Sequence, residues 1–97
     1  MRFAPWQTLT LDNNLISDQG MIKFSKALGK GAMAKVTRLN LCGNRIGDEG
    51  LTAFAGAVAN GAIPLLQSLL IFGNNFGDAA KEQLEAACSV RGINVMA

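Results

Sequence analysis

The residues able to do chemistry are few, and their spacing argues against catalysis. The 97-residue chain has no histidine, and neither cysteine nor any serine stands beside a base that could activate it. Asp18, Asp48 and Asp78 recur at intervals of thirty, each just ahead of an apolar helical pattern, and they read as helix caps for orphan backbone N–H groups, with Ser17 the alternative to Asp18 in the first helix. The cysteines, methionines and acidic residues show no metal-ligand spacing, so no cofactor is expected. Gly43-Asn44-Arg45-Ile46-Gly47 is glycine-rich but lacks the Gly-Lys-Ser/Thr ending of a phosphate-binding loop. No set supplies a nucleophile, a base and a charge stabiliser together, so the chain is read as a non-enzyme whose available chemistry is non-covalent recognition.

Composition narrows the partner. Apolar residues make up 49% and charged residues 16% of the chain, which is enough to build one folded domain and too apolar for disorder. A net charge of +2, with Lys23, Lys26, Lys30 and Lys35 uninterrupted by aromatics, reads as a solvated helix face and not as a nucleic-acid surface. There is neither an apolar run long enough to span a bilayer nor a signal-peptide pattern, so no membrane partner is expected. Cys42 and Cys88 fall on opposite predicted layers, out of disulfide reach of each other. Two unpaired thiols make a cytoplasmic location the expectation.

The elements that must carry these residues follow from an internal period. Leu9-Thr10-Leu11 falls on Leu39-Asn40-Leu41 and then on Leu69-Leu70-Ile71, while Asn14, Asn44 and Asn74 coincide, as do Ile16, Ile46 and Phe76. In the middle unit Leu39 and Leu41 alternate with period two, the mark of a strand, and Gly43-Asn44 breaks it. Gly50, Phe54, Ala57 and Val58 then recur on one face of a 3.6-period helix, and Asn60-Gly61 stops it. Gly29 or Gly31 stops the first helix and Gly92 the third. Gly20, Gly50 and Ala80 share one early helix position, where a small residue lets the helix approach the neighbouring strand or turn. The asparagines are expected to satisfy backbone groups that lose water as the chain turns into the core, bridging adjacent turns.

Strand–helix–strand order demands parallel strands with right-handed crossovers. The fold expected is therefore α/β, a right-handed solenoid with a parallel β-sheet on its concave side and helices on its convex side. The repeats span about 6–35, 36–65 and 66–91 within a single domain, 1–97. A short closing strand is expected at 92–95, with Ile93 and Val95 facing as Leu69 and Ile71 do.

The pattern L-x-x-L-x-L-x-x-N-x-[I/L] followed by a G-D-x-G helix start resembles the leucine-rich repeat, and more narrowly its ribonuclease-inhibitor-like type, whose repeats carry a full helix. Trp6, Leu9, Leu11, Asn14 and Ile16 carry the match in the first repeat, Val36, Leu39, Leu41, Asn44 and Ile46 in the second, and Leu66, Leu69, Ile71, Asn74 and Phe76 in the third. The resemblance implies a short horseshoe arc whose concave sheet binds another protein. It also brings two further readings: a fragment that activates a GTPase, as the Ran GTPase activators of this repeat type do, and a structural C-terminal cap of a longer receptor-type array. Met1-Arg2-Phe3-Ala4-Pro5 offers no polar capping helix, so the first strand edge is expected to be bare and open to self-association.

The residues expected on the binding face are Thr8, Thr10 and Asp12, then Arg38, Asn40 and Cys42, then Ser68, Leu70 and Phe72. Unlike the core positions, they change in type from repeat to repeat. Leu70 and Phe72 stand out as a paired apolar anchor on a face that ought to be wet, unless the last helix, the last strand or Met96 folds over them.

Overall fold

A computed structural model describes residues 7–97. Seven elements alternate in chain order: β1 (Thr8–Thr10), α1 (Asp18–Gly29), β2 (Arg38–Asn40), α2 (Asp48–Ala59), β3 (Ser68–Leu70), α3 (Asp78–Val90) and β4 (Asn94–Met96). The strands form one parallel sheet in sequence order. Its first two registers keep the thirty-residue offset, with Leu9 opposite Leu39 and Leu39 opposite Leu69. The helices pack consecutively on the other side, α1 on α2 and α2 on α3. This is the α/β fold expected for a leucine-rich repeat.

Leu39, Leu41, Ile46, Phe54 and Val58 of the second repeat and Leu69, Ile71 and Leu84 of the third are fully buried. Their counterparts Leu9, Leu11, Ile16 and Phe24 at the start of the stack are only partly covered. Because α2 has a helix on each flank, it also buries Leu51 and Ala55, beyond the single face read from its periodicity. Trp6, assigned to the first repeat's pattern, lies outside the described residues.

Polar side chains tie each repeat to its neighbour, in two directions. Asn44 reaches back: its Oδ1 accepts from the N–H groups of Asn14 and Ile16 at 2.9 and 3.0 Å, and its Nδ2 donates to the carbonyls of Leu11 and Leu41. Asn74 does the same for Ile46 and Leu41. Asn14 is exposed, and among the described residues its side chain donates to the carbonyl of Asp12 alone.

The aspartates reach forward, which corrects their reading as caps of their own helices. Ser17, Gly47 and Gly77 hold the N-cap positions. Asp18 Oδ1 accepts from Gly47 and Gly50 N–H at 2.6 and 2.9 Å, so the first turn of α1 caps α2. Asp48 Oδ1 accepts from Gly77 N–H at 2.7 Å and so caps α3. The carboxylate gains from both the orphan donors and the positive end of the helix dipole.

Gly50 is small for the sake of this contact: a Cβ there would stand 2.6 Å from Asp18 Oδ1 and 3.0 Å from Met21 Cβ. Its close neighbour is thus the preceding helix, and not the strand or turn expected. Gly43 serves the strand-ending turn, at φ +71° and with the Asn13 side chain where its Cβ would point.

The closing strand is displaced from its expected place. Val95 pairs with Leu69 and Met96 with Leu70, so Val95 takes the station of Leu69 and Ile93 lies before the strand. Without the connecting loop of the earlier repeats, Ile93 N–H bonds the Cys88 carbonyl, as Ala62 N–H bonds that of Ala57. Arg91, which closes α3, had no assigned role. Its guanidinium donates to the carbonyls of Val58, Ala62 and Ile63 at 2.9, 2.6 and 2.7 Å, clasping the end of α2. Ile63 is a β-branched residue at φ 48°, a conformation that needs such external support.

Removing one partner of a buried hydrogen bond costs about 1–3 kcal/mol. Chemical denaturation of Asn44→Ala is expected to show a loss in that range, whereas Asn14→Ala, whose side chain holds no second repeat, stays within about 0.5 kcal/mol of wild type.

Candidate functional site

Period-two alternation sends the even-numbered strand residues away from the helices, and the register sets them in rows. Thr8, Arg38, Ser68 and Asn94 form one row, and Thr10, Asn40, Leu70 and Met96 the next. Asp12, Cys42 and Phe72 lie just past the strand ends, where the ladder continues through Asn13 N–H to the Cys42 carbonyl and Gly43 N–H to the Phe72 carbonyl. The register thus sets six of the nine expected residues in shared rows, and the continued ladder carries Asp12, Cys42 and Phe72 just beyond them. Adjacent strands stand about 4.8 Å apart and alternate residues about 6.6 Å apart along a strand, which fixes the grid on which these side chains are displayed.

The grid is polar at one end and apolar at the other. Arg38 is exposed, beside a shallow open groove of about 340 Å³ lined by Thr8, Thr37, Arg38, Gln67 and Ser68. Thr37 is buried and its hydroxyl exchanges hydrogen bonds with the Gln7 backbone, which anchors the groove floor. Two of the polar side chains are turned to local backbone or neighbours: Asn40 Oδ1 accepts from Cys42 N–H, and Asp12 accepts from the Asn13 side chain.

At the other end Phe72 is 50% exposed and Leu70 half-buried. Neither the last helix nor the last strand folds over them; β4 lies alongside, and Met96 extends the same apolar row, 36% exposed. Met96 and Asn94 are members of this surface that the sequence reading left out, although assigning Val95 to the core already turns both of its neighbours outward.

Neither thiol pairs: Cys42 lies half-buried on the open face and Cys88 fully buried under α3. Burial pushes the Cys88 thiol up from 9.0 to about 11, opposed by the nearby Arg91 charge and reinforced by Glu85. Such a thiol is protonated and inert at neutral pH. Among the described residues no group of three or more Cys, Asp or Glu is placed to hold a metal ion. The four grooves described are open and shallow, with no enclosed cavity of the kind that surrounds a small substrate. No helix of the described residues is long and apolar enough to cross a membrane.

A family model described as Leucine Rich repeat matches residues 32–55, from the loop before β2 into α2. No curated protein matches the chain. The family match and the strand–helix stack together support a leucine-rich repeat protein.

The thiols give a clear test. With excess maleimide near pH 8, Cys42 is expected to be modified and Cys88 protected until the chain unfolds, as read by mass spectrometry of the digested protein. The linkage has a definite sign. The Cys88 thiol ionises at lower pH in the unfolded chain than in the folded one, so its contribution to stability is whole below pH 9 and declines as pH rises towards 11. A Cys88→Ala variant is expected to lose stability less steeply over that window.

Proposed function

We propose that this leucine-rich-repeat chain is a protein-interaction module that receives its partner on the open, concave face of the sheet. The observation that carries the reading is the contrast between two sets of side chains on the same strands. Core stations repeat in type, with Leu9 opposite Leu39 and Leu39 opposite Leu69, whereas the outward rows change at every step: Thr10, Asn40, Leu70, Met96. A scaffold that holds one set constant leaves the other free to be chosen for recognition. Leaving Phe72, Leu70 and Met96 in water has no benefit to folding, and aromatic and aliphatic side chains of this kind dominate interface energies when a partner covers them.

Leucine-rich-repeat domains are typically binding modules without catalysis, and no cofactor is needed for this one. Full helices of 12 and 13 residues in every repeat favour the ribonuclease-inhibitor-like type. The free thiols favour a cytoplasmic setting.

The test is a comparison of surfaces. Partners are captured on the immobilised wild-type chain and their affinity is then measured for a Leu70→Asp/Phe72→Asp variant and for an Asp-bearing variant on the helix side, Val90→Asp. Val90 is 89% exposed and is the last residue of α3. The double variant is expected to weaken binding at least tenfold, about 1.4 kcal/mol, with unchanged circular dichroism, while Val90→Asp binds as wild type. Retention of every partner by the folded double variant refutes the concave-face reading.

A further inference from the structure

The two ends of the stack are complementary, and β4 stands between them. Inside the stack each helix offers an outgoing flank to the next. On α1 this flank holds Asp18, Met21 and Ser25: Asp18 and Met21 meet Gly50, and Ser25 shares a groove with Ala53 and Ala57 of α2. On α2 the same stations are Asp48, Leu51 and Ala55, and besides the capping aspartates the charged residue lining the α1–α2 groove is Lys26 at its rim. On α3 they become Asp78, Lys81 and Glu85, with Glu82 beside them. The incoming flank of α1, at the stations that Gly50, Ala53 and Asn60 fill in α2, carries Gly20, Lys23 and Lys30, while Lys26 lines the groove towards α2. One end of the stack is thus acidic on balance and the other basic.

The unfilled halves of the polar exchange match as well. Asp78 stands at the phase from which Asp18 and Asp48 cap a following helix, and no helix of the described residues follows it. Asn14 stands at the phase from which Asn44 and Asn74 grip a preceding repeat, yet among the described residues its side chain bonds its own loop alone. Leu9, Leu11, Ile16 and Phe24 are half-covered where their counterparts in the middle repeat are fully buried.

One element occupies the place a following repeat would take. β4 sits on the outer edge of β3 with just three residues, through Asn94 N–H to the Gln67 carbonyl and Ile71 N–H to the Met96 carbonyl. It brings one core-facing side chain, the half-buried Val95, and no helix. A groove of about 340 Å³ is left beside α3, lined by Glu85, Ser89, Gly92, Ile93, Asn94 and Val95.

We propose that the β3–α3 end is a docking surface for the β1–α1 end of a second copy of this chain, and that β4 is the strand that holds it shut. In the docked state β1 of the second copy replaces β4 on β3, and its α1 lies against α3. Asp78 then caps that helix, its Asn14 grips the turn after β3, and its Lys23 enters between Glu82 and Glu85. β4 prevails in dilute solution because it is tethered, which gives it a high effective concentration over a free copy. The contact is head-to-tail and does not close on itself, so copies add in series once β4 is released.

Light scattering on the full chain decides the matter. Wild type is expected to be monomeric. Val95→Asp puts a charge into the core station of β4 and is expected to keep the helical circular dichroism while the mass at least doubles and grows with concentration. Adding Lys23→Glu is expected to return the Val95→Asp chain to a monomer, and adding Glu85→Lys to that pair to restore growth. Asn94→Pro, which deletes the N–H that pairs β4 with β3, provides a second release that leaves Val95 intact. A folded, monomeric Val95→Asp chain overturns the proposal, and so does growth that ignores the charge at position 23. If Val95→Asp and Asn94→Pro both unfold, β4 is a part of the core and the proposal falls.

Discussion

A chain that turns into its own core three times must satisfy the backbone groups it buries there, and this protein does so across repeat boundaries. Asn44 and Asn74 reach back to the preceding turn, Asp18 and Asp48 reach forward to the next helix, and Arg91 clasps the end of the helix before its own. An isolated repeat would keep its leucines but leave these donors and acceptors unpaired, at a cost comparable to the gain from burying one of those leucines. The stack is therefore held by its junctions, and stability is a property of neighbours rather than of units. Opposed directions matter here: each junction is tied on the sheet side by an asparagine and on the helix side by an aspartate, so neither layer can slide past the other.

That constraint also explains where sequence variation is tolerated. Gly50 must be small because Asp18 and Met21 lie against it, and Gly43 must be glycine because of its backbone and the Asn13 side chain. At the position equivalent to Gly50, Ala80 carries a methyl group, and Asp48 there bonds the Gly77 N–H alone where Asp18 bonds two. The extra carbon thus coincides with the loss of one cross-repeat bond. The outward rows of the sheet take part in none of these junction contacts apart from local turns, and they are the rows in which residue type wanders.

Much of this architecture is legible in the residues themselves, and the failures have a common origin. Leu39 and Leu41 alternate, Asn44 recurs and Gly61 stops a helix, and each of these is a local signal with a local reading. The aspartates mislead because a repeat of fixed period looks identical whether a side chain serves its own helix or the next one; only the distance from Asp18 to Gly47 separates the two. The strand expected at 92–95 sits two residues ahead of β4's register because the loop that spaces the other repeats is missing before it, so alternation fixes which faces Ile93 and Val95 prefer but not which leucine each joins. Arg91 was invisible for a related reason. It lies where α3 runs one residue longer than its predecessors, outside the periodic frame that made everything else readable. For the outward surface, period two suffices to set the six strand residues in shared rows, whereas the exposure of Leu70 and Phe72 depends on where β4 comes to rest.

The same rigidity bears on how such a surface can bind. A partner that meets the sheet finds side chains whose spacing is already set by the ladder, so little ordering entropy is lost on the scaffold side and more of the contact energy survives as affinity. The polar groove around Arg38 is too open to enclose a small molecule, yet an exposed guanidinium beside threonine and serine hydroxyls suits a partner's carboxylate or backbone carbonyls. Leu70, Phe72 and Met96 lie at the opposite corner, so a partner that satisfies both must extend across several strands. Apolar anchoring at one end and directed polar contacts at the other fix orientation as well as strength, since a segment docked in reverse would bury its own charges against Phe72 and leave Arg38 facing an apolar surface. On the proposed reading, a grid of this kind would discriminate by the order of chemical groups along a partner's surface, a form of selectivity that a polypeptide can meet and a compact metabolite cannot.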